Sequence, residues 1–528
     1  MPTKPAAGQG ERRTGQIERT FHCEYSSYHV IRLHDKEVFL LRIMTPPLTL
    51  RGDDWAKGLG IVVIGFLFAL TVAYIVAISP IIGVIIAMSS MAILSASSFE
   101  LAACVLLVII LFQNTATAIA LRENYDAFNV MRGLPFLYSV IVSSLGVFWL
   151  KKNPLEWSVQ TKQIIKLAIY SLAICVGYFI LGMITAKPVS AITYFRGVLS
   201  GILFIPIGLC ASRRPLLMYG TILSAVILAI FFGFIEFFFR TFLYDAIDMV
   251  GYLGSKGNGA RFDYATTRDL ISGMQTELFN TKFLAGKILF ARLQGPNLHS
   301  ISYGYSLAAS TIVALRFKKY WIAALAMFML FLAGSKGALI TTIFALFFWI
   351  LFSRSTLPRR MVINTTVIIL LAYVAIWTII GASNGDYHVI GFKGGIDGFI
   401  RNPLGHGLGA GGNLGSSDGD VTEAADKWKT MQRYGATYGL ESATGVLLYQ
   451  MGVAAFIPLL LFFRLAKTLF LPTYVHGGML LGFAILATIA NSCFQEEALF
   501  SPLSIGLMVL LSMLHIGFVE RQNLSAIP

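Results

Sequence analysis

Apolar and polar residues follow one another along this chain in long blocks. Apolar runs fall near residues 59–78, 80–96, 99–121, 134–150, 164–184, 193–211, 215–237, 298–316, 319–334, 337–352, 361–381, 441–463, 477–494 and 499–518. Blocks approaching twenty apolar residues predict bilayer-crossing helices, because a helix satisfies its own backbone hydrogen bonds where no water can. Barrel strands would give shorter segments of alternating polarity. The expected fold class is an all-α polytopic membrane protein with about 12–14 transmembrane helices and a large extracytoplasmic loop between late helices. The polar intervals divide the chain into an amino-terminal tail (1–58), helices over 59–237, a loop over 238–297, helices over 298–381, a large loop over 382–440, helices over 441–518 and a short tail from 519 to 528. Residues 1–58 carry both charge signs and read as a cytoplasmic tail with no cleavable signal, with a hairpin or surface-lying segment expected within 21–50.

Charge then orients the pattern. The net charge is +14, yet the cations gather in short connections: Lys151-Lys152, Arg213-Arg214, Lys318-Lys319, Arg354 with Arg359-Arg360, and Arg464 with Lys467. That distribution follows the positive-inside rule and puts both termini in the cytoplasm. No basic soluble domain exists to bind nucleic acid, so none is expected as a partner. The loops 238–297 and 382–440, and the turn at Lys336, then face outward. Five scattered cysteines have no metal-ligand spacing, and no metal site or cofactor is expected. No internal repeat is visible, unlike many transporters.

Several polar groups collect at the outward ends of the runs. Arg196 lies a few residues inside ITYFRGVLSG, where snorkelling to headgroups is the plain alternative. Arg292 precedes a helix, Lys336 sits between two, and Arg401 and His406 lie in the large loop. Arginine holds phosphate with paired hydrogen bonds, so these cations point to a phosphorylated lipid in the outer leaflet, with membrane lipids as general partners. Glu441 heads the run after the loop. It serves either as a general base or as a carboxylate favoured by the helix dipole. His406, in NPLGHGLGAGG, competes for the role of base. Asn297, His299 and Tyr303 follow Arg292 and are candidate sugar or phosphate contacts, or groups that satisfy a helix start. Glu496 and Glu497 are expected to be solvated, with contact of one of them to the acceptor as the alternative. Residues 416–438 are a candidate for acceptor recognition.

In order and spacing, these pieces resemble the bacterial O-antigen polymerase and O-antigen ligase superfamily across roughly residues 190–465. The matching features are the outer-end arginine (Arg196), Arg-x-x-Gly-Pro-x-x-His (Arg292, Gly295, Pro296, His299), the cationic turn GSKGALI, NPLGHGLGAGG, and ESATGVLLYQMGVAAF. The resemblance implies a polytopic, GT-C-like membrane glycosyltransferase, inverting, without a nucleotide sugar, metal or other cofactor. It would act at the outer face of the bacterial inner membrane on undecaprenyl-diphosphate-linked oligosaccharide. It further implies a sugar acceptor and a chain-length regulator protein as partners. By resemblance Arg196 and Arg292 grip the diphosphate, Arg401 assists, and Glu441 stands where ligases carry a histidine base. The Glu-Ser form tilts the expectation toward a polysaccharide polymerase. A ligase acting on lipid A core and a lipid-linked glycan flippase are the alternatives.

Overall fold

A computed structural model describes residues 49–122, 125–153, 156–255, 265–277, 289–384, 386–412 and 441–525. The segment expected within 21–50 lies almost wholly outside these residues, and 416–438 lies entirely outside them. The chain is an all-α, multi-pass membrane protein. Among the described residues ten helices are long and apolar enough to cross a membrane, and three shorter apolar helices accompany them.

Seven long helices come first: α1 (Gly52–Ile78), α2 (Pro80–Ser97), α3 (Phe99–Ala120), α4 (Phe128–Lys152), α5 (Val159–Thr185), α6 (Pro188–Ala211) and α7 (Pro215–Phe238). Prolines at the first position of α2, α6 and α7 set the turns that precede them, since a first-turn N–H has no helical partner to lose. Helices α3 and α6 are buried along most of their length and form the centre of the bundle.

The interval that reads as a loop over 238–297 contains structure of its own. It holds α8 (Arg240–Ala246), α9 (Met249–Ser255), α10 (Thr267–Gly273), and two three-residue strands, β1 (Gln275–Glu277) and β2 (Leu289–Ala291). The strands pair antiparallel with Gln275 opposite Ala291. Then follow α11 (Ser300–Arg316), α12 (Tyr320–Leu332), α13 (Lys336–Phe352) and α14 (Arg359–Asn384).

Helix α15 (Tyr387–Arg401) occupies the start of the large polar interval. Beyond residue 440 the chain forms α16 (Ala443–Met451), a 3-10 turn (Gly452–Ala455), α17 (Phe456–Leu469), α18 (Val475–Asn491) and α19 (Glu497–Phe500). A π-helical turn, Pro502–Gly506, leads into α20 (Leu507–Ser525). The bundle thus has a loop end, where the two long connections emerge, and a tail end, where α20 finishes.

The tail end is tied by buried polar contacts. Glu520 accepts hydrogen bonds from Ser158 N (3.1 Å) and Oγ (2.6 Å), Thr161 Oγ1 (2.5 Å) and Tyr474 Oη (2.5 Å). His515 contacts the Tyr474 carbonyl through Nε2 at 2.7 Å and Arg316 through Nδ1 at 2.9 Å. Arg521 Nε donates to Ser212 Oγ at 3.0 Å, and Arg213 lies 3.5 Å above the Trp149 ring.

Candidate functional site

The segment around Arg292 is held from beneath. Glu236, fully buried in the last turns of α7, accepts from the Gln294 N–H (2.7 Å), the Gly295 N–H (2.8 Å) and the Tyr244 hydroxyl (2.6 Å). Gly295 has φ +63° and lies against the Tyr303 ring, where a Cβ would collide. Only glycine fits both demands. Tyr303 is itself fully buried and donates to the Ala229 carbonyl at 2.9 Å. It belongs to the support beneath the segment and offers no surface to a sugar. Asn114 of α3 donates to the Asn297 carbonyl (2.6 Å) and Oδ1 (3.2 Å), while Thr115 donates to the Pro296 carbonyl (2.5 Å). His299 caps α11, its Nδ1 accepting from the Ser302 N–H at 3.4 Å. Arg292 emerges from this braced turn, and burial holds its guanidinium below the usual arginine pKa. Arginine stays charged under such a shift, so a half-desolvated cation is presented at the loop end.

Arg196 belongs to the third turn of α6, within electrostatic reach of another cation. Arg132, on the first turns of α4, repels it electrostatically. Arg132 rests 5.7 Å from the Phe128 ring centroid, and Phe128 packs edge-on against Tyr252 of α9. The Gln113 side chain holds the adjacent Met131 carbonyl, which fixes the start of α4 to α3. Among the described residues, no hydrogen bond or carboxylate pairs with Arg132 or Arg196. Two residues before Arg196, the Tyr194 hydroxyl donates to Glu496. Glu496 is only 3% exposed, against the expectation that it is solvated, because Tyr194 and the turn into α19 enclose it. Glu497 beside it is half-buried.

Glu441 lies just before α16 in a left-handed conformation, φ +54°. For a residue with a side chain this costs of order 1 kcal/mol, and such strain concentrates at functional sites. The helix start itself is capped by Ser442, whose Oγ accepts from the Gly445 N–H at 3.0 Å. The carboxylate is therefore not consumed as the cap. Its partner is His388 on the first turn of α15, with Nδ1 3.4 Å from Oε2 and 3.4 Å from the Glu441 carbonyl. Helix α15 runs alongside α16 at very close approach, Gly395 against the Gly445 backbone. Immediately after Ser442, Thr444 binds Ser492 through both N–H (3.1 Å) and hydroxyl (2.7 Å), which joins Glu441's helix to the Asn491–Glu496 turn. Lys336, exposed at the start of α13, stands over that same turn, since Gly337 packs on Asn491 and Gln495.

His406 is placed elsewhere. Its ring stacks on Tyr449 with centroids 4.2 Å apart, and its Nδ1 contacts the Tyr449 carbonyl at 3.0 Å. Tyr449 lies two turns along α16 from Glu441, so the two candidate bases are separated. The glycines around His406 press on helices: a Cβ at Gly407, where φ is +93°, would strike α5 at Gly182 and Thr185. The Gly-rich stretch is thus a packing device here. Arg401 ends α15 beside this segment, exposed, with no described contact to Arg196 or Arg292.

The described contacts tie the Arg292 segment and Asn297 to α3 and α7. They also tie Thr444, three residues after Glu441, to the Asn491–Glu496 turn, which Tyr194 joins to α6 two residues before Arg196 and on which the start of α13 at Lys336 packs. His299 caps α11, His406 instead stacks on Tyr449, and Arg401 ends α15 exposed. Sequence reasoning missed Arg132, Glu236 and His388. A signal existed for two of them: Arg132 flanks an apolar run on the outward side just as Arg292 does, and Glu236 is a lone carboxylate inside an apolar run. No group of three or more His, Cys, Asp or Glu side chains with metal-ligating geometry occurs among the described residues. No protein-family model, no curated protein and no solved structure matches this chain.

Proposed function

We infer that this chain is a polysaccharide polymerase of the inner membrane. It transfers a glycan from undecaprenyl diphosphate to the terminal sugar of another lipid-linked repeat unit, at the outer face. The observation that carries this reading is the set of cations at the loop end, Arg132 near the start of α4, Arg196 in α6 and Arg292 on a turn braced by Glu236 and Asn114, with no ion pair to a carboxylate described for Arg132 or Arg196. Holding such cations together costs free energy that a multiply charged anion recovers, and a diphosphate at a membrane end has that charge.

The residues divide the work as follows. Arg132, Arg196 and Arg292 hold the diphosphate, with Lys336 at the rim. Glu441, oriented by His388, takes the proton from the acceptor hydroxyl. The hydroxyl oxygen attacks the anomeric carbon as the bond to the diphosphate oxygen breaks. The electron pair leaves with the diphosphate, where the arginines stabilise the growing charge. Attack from the face opposite the leaving group inverts the anomeric centre. His406, with its Nδ1 and one ring face engaged by Tyr449, is a packing residue in this scheme.

The test is complementation of a gene deletion in the native host with Arg196→Ala, Arg132→Ala, Arg292→Ala and Glu441→Gln. Each variant should leave single lipid-linked units accumulating at the outer face, with no long polymer. Normal polymer length in all four overturns the reading. Units trapped on the cytoplasmic face would make the chain a flippase, and unligated long chains would make it a ligase.

A further inference from the structure

Where α7 ends, the chain reads Phe237-Phe238-Phe239-Arg240-Thr241-Phe242. This stretch lines an open groove of about 560 Å³, closed on its other side by Phe331 and Leu332 at the end of α12. Phe238, Phe239 and Phe242 are well exposed, Phe242 by 74%. The groove lies at the loop end of α7, which is long and apolar enough to cross a membrane, and of the shorter apolar helix α12; aromatic rings gather where such helix ends meet lipid headgroups. An aromatic belt alone would explain the phenylalanines. It does not explain Arg240. That residue lines the groove and donates through Nη2 to the Ala291 carbonyl at 3.0 Å. Its Nε is shielded from water with no hydrogen-bond partner. Glu236, four residues earlier, attracts it, but both Glu236 oxygens are already engaged by Tyr244, Gln294 and Gly295.

An apolar trough with an incompletely satisfied guanidinium at its head matches a lipid chain ending in phosphate. We propose that this groove is a second lipid-phosphate site, which takes the polyprenyl phosphate end of the acceptor unit. The choice of carrier over bulk phospholipid rests on continuity with the candidate site: the carbonyl that Arg240 holds belongs to Ala291, whose next residue is Arg292. It also rests on the polymerase reading, because joining two carrier-linked units needs two carriers bound at once, one on each side of the Arg292 turn. Occupancy of the groove would draw on Arg240 and so be felt at Arg292.

The experiment uses the full chain in lipid nanodiscs with a diazirine-bearing polyprenyl phosphate, and maps the crosslinks by peptide mass spectrometry. Label is expected on residues 237–242 and 331–332. It should persist in Arg196→Gln, fall at least about tenfold in Arg240→Gln, and fall also in Phe242→Ala, which removes an exposed wall and leaves the core intact. Excess undecaprenyl phosphate should displace it, and excess phosphatidylglycerol should not. Label confined to the neighbourhood of Arg196 and Arg292 overturns the groove and leaves the polymerase reading standing. Label nowhere overturns both. Equal displacement by phosphatidylglycerol makes the groove an ordinary lipid contact and overturns the assignment.

Discussion

The two ends of the bundle treat their charges in opposite ways. At the tail end, Glu520 collects four hydrogen bonds from three residues and His515 has partners at both ring nitrogens. The donors come from the start of α5 and from Tyr474 just before α18, so the cluster fastens α5, α18 and α20 together. At the loop end, Arg132 and Arg196 lie within electrostatic reach of each other, and no ion pair to a carboxylate is described for either. A satisfied buried network specifies a structure. An unsatisfied like-charge pair weakens the structure and is retained where something else binds it. The contrast separates groups that hold the fold from groups that, on the polymerase proposal, bind the diphosphate.

Substitutions test that separation most sharply at Glu441. Glu441→Gln should lower turnover about 10²- to 10⁴-fold, in the range for loss of a general base, and leave thermal unfolding nearly unchanged. His406→Ala should cost less than about tenfold. Equal losses in the two variants would erase the distinction drawn between them. Glu520→Ala is the counterpart at the tail end. Leaving its donors unpaired should destabilise the protein by about 3 kcal/mol, read as a lower unfolding temperature, while the folded fraction retains its turnover. Arg196→Met should do the reverse. Activity falls about 10²- to 10³-fold, and the ligand-free protein keeps or gains stability, by up to about 1 kcal/mol, because a repulsion has been removed. A clear loss of stability in Arg196→Met would show that the arginine has a structural partner after all. The smallest effect is expected from Asn114→Ala, which loosens one brace on Asn297 and should cost about 1 kcal/mol, less than tenfold in turnover.

Much of the fold was legible in the sequence because membrane helices announce themselves by length and apolarity. All fourteen apolar runs are helical over nearly their full extent. What was not legible depends on contacts between distant residues. Glu496 looks solvated in NSCFQEEALFS, yet Tyr194, 302 positions away, encloses it. Helix α15 carries Gly391, Gly394, Gly395 and Gly398 in YHVIGFKGGIDGFIR, a composition that reads as loop. Packing on α16 overrides that propensity, since the missing side chains are what let the two backbones meet. The glycines about His406 do the same, seating the segment on α5. At the candidate site, the sequence pointed to the cations one by one, but not to the mutual repulsion of Arg132 and Arg196, nor to the carboxylate beneath Arg292.

That carboxylate has one more consequence. Glu236 binds the chain as it leaves α7 and again as it returns at Gln294 and Gly295, so the intervening excursion is cinched at its neck. A loop with a fixed neck can lengthen at a cost that grows only with the logarithm of its size. Length added between α9 and α10 should therefore leave the arginine at the exit in its position. This gives an engineer, or natural drift, room to vary that excursion without moving Arg292.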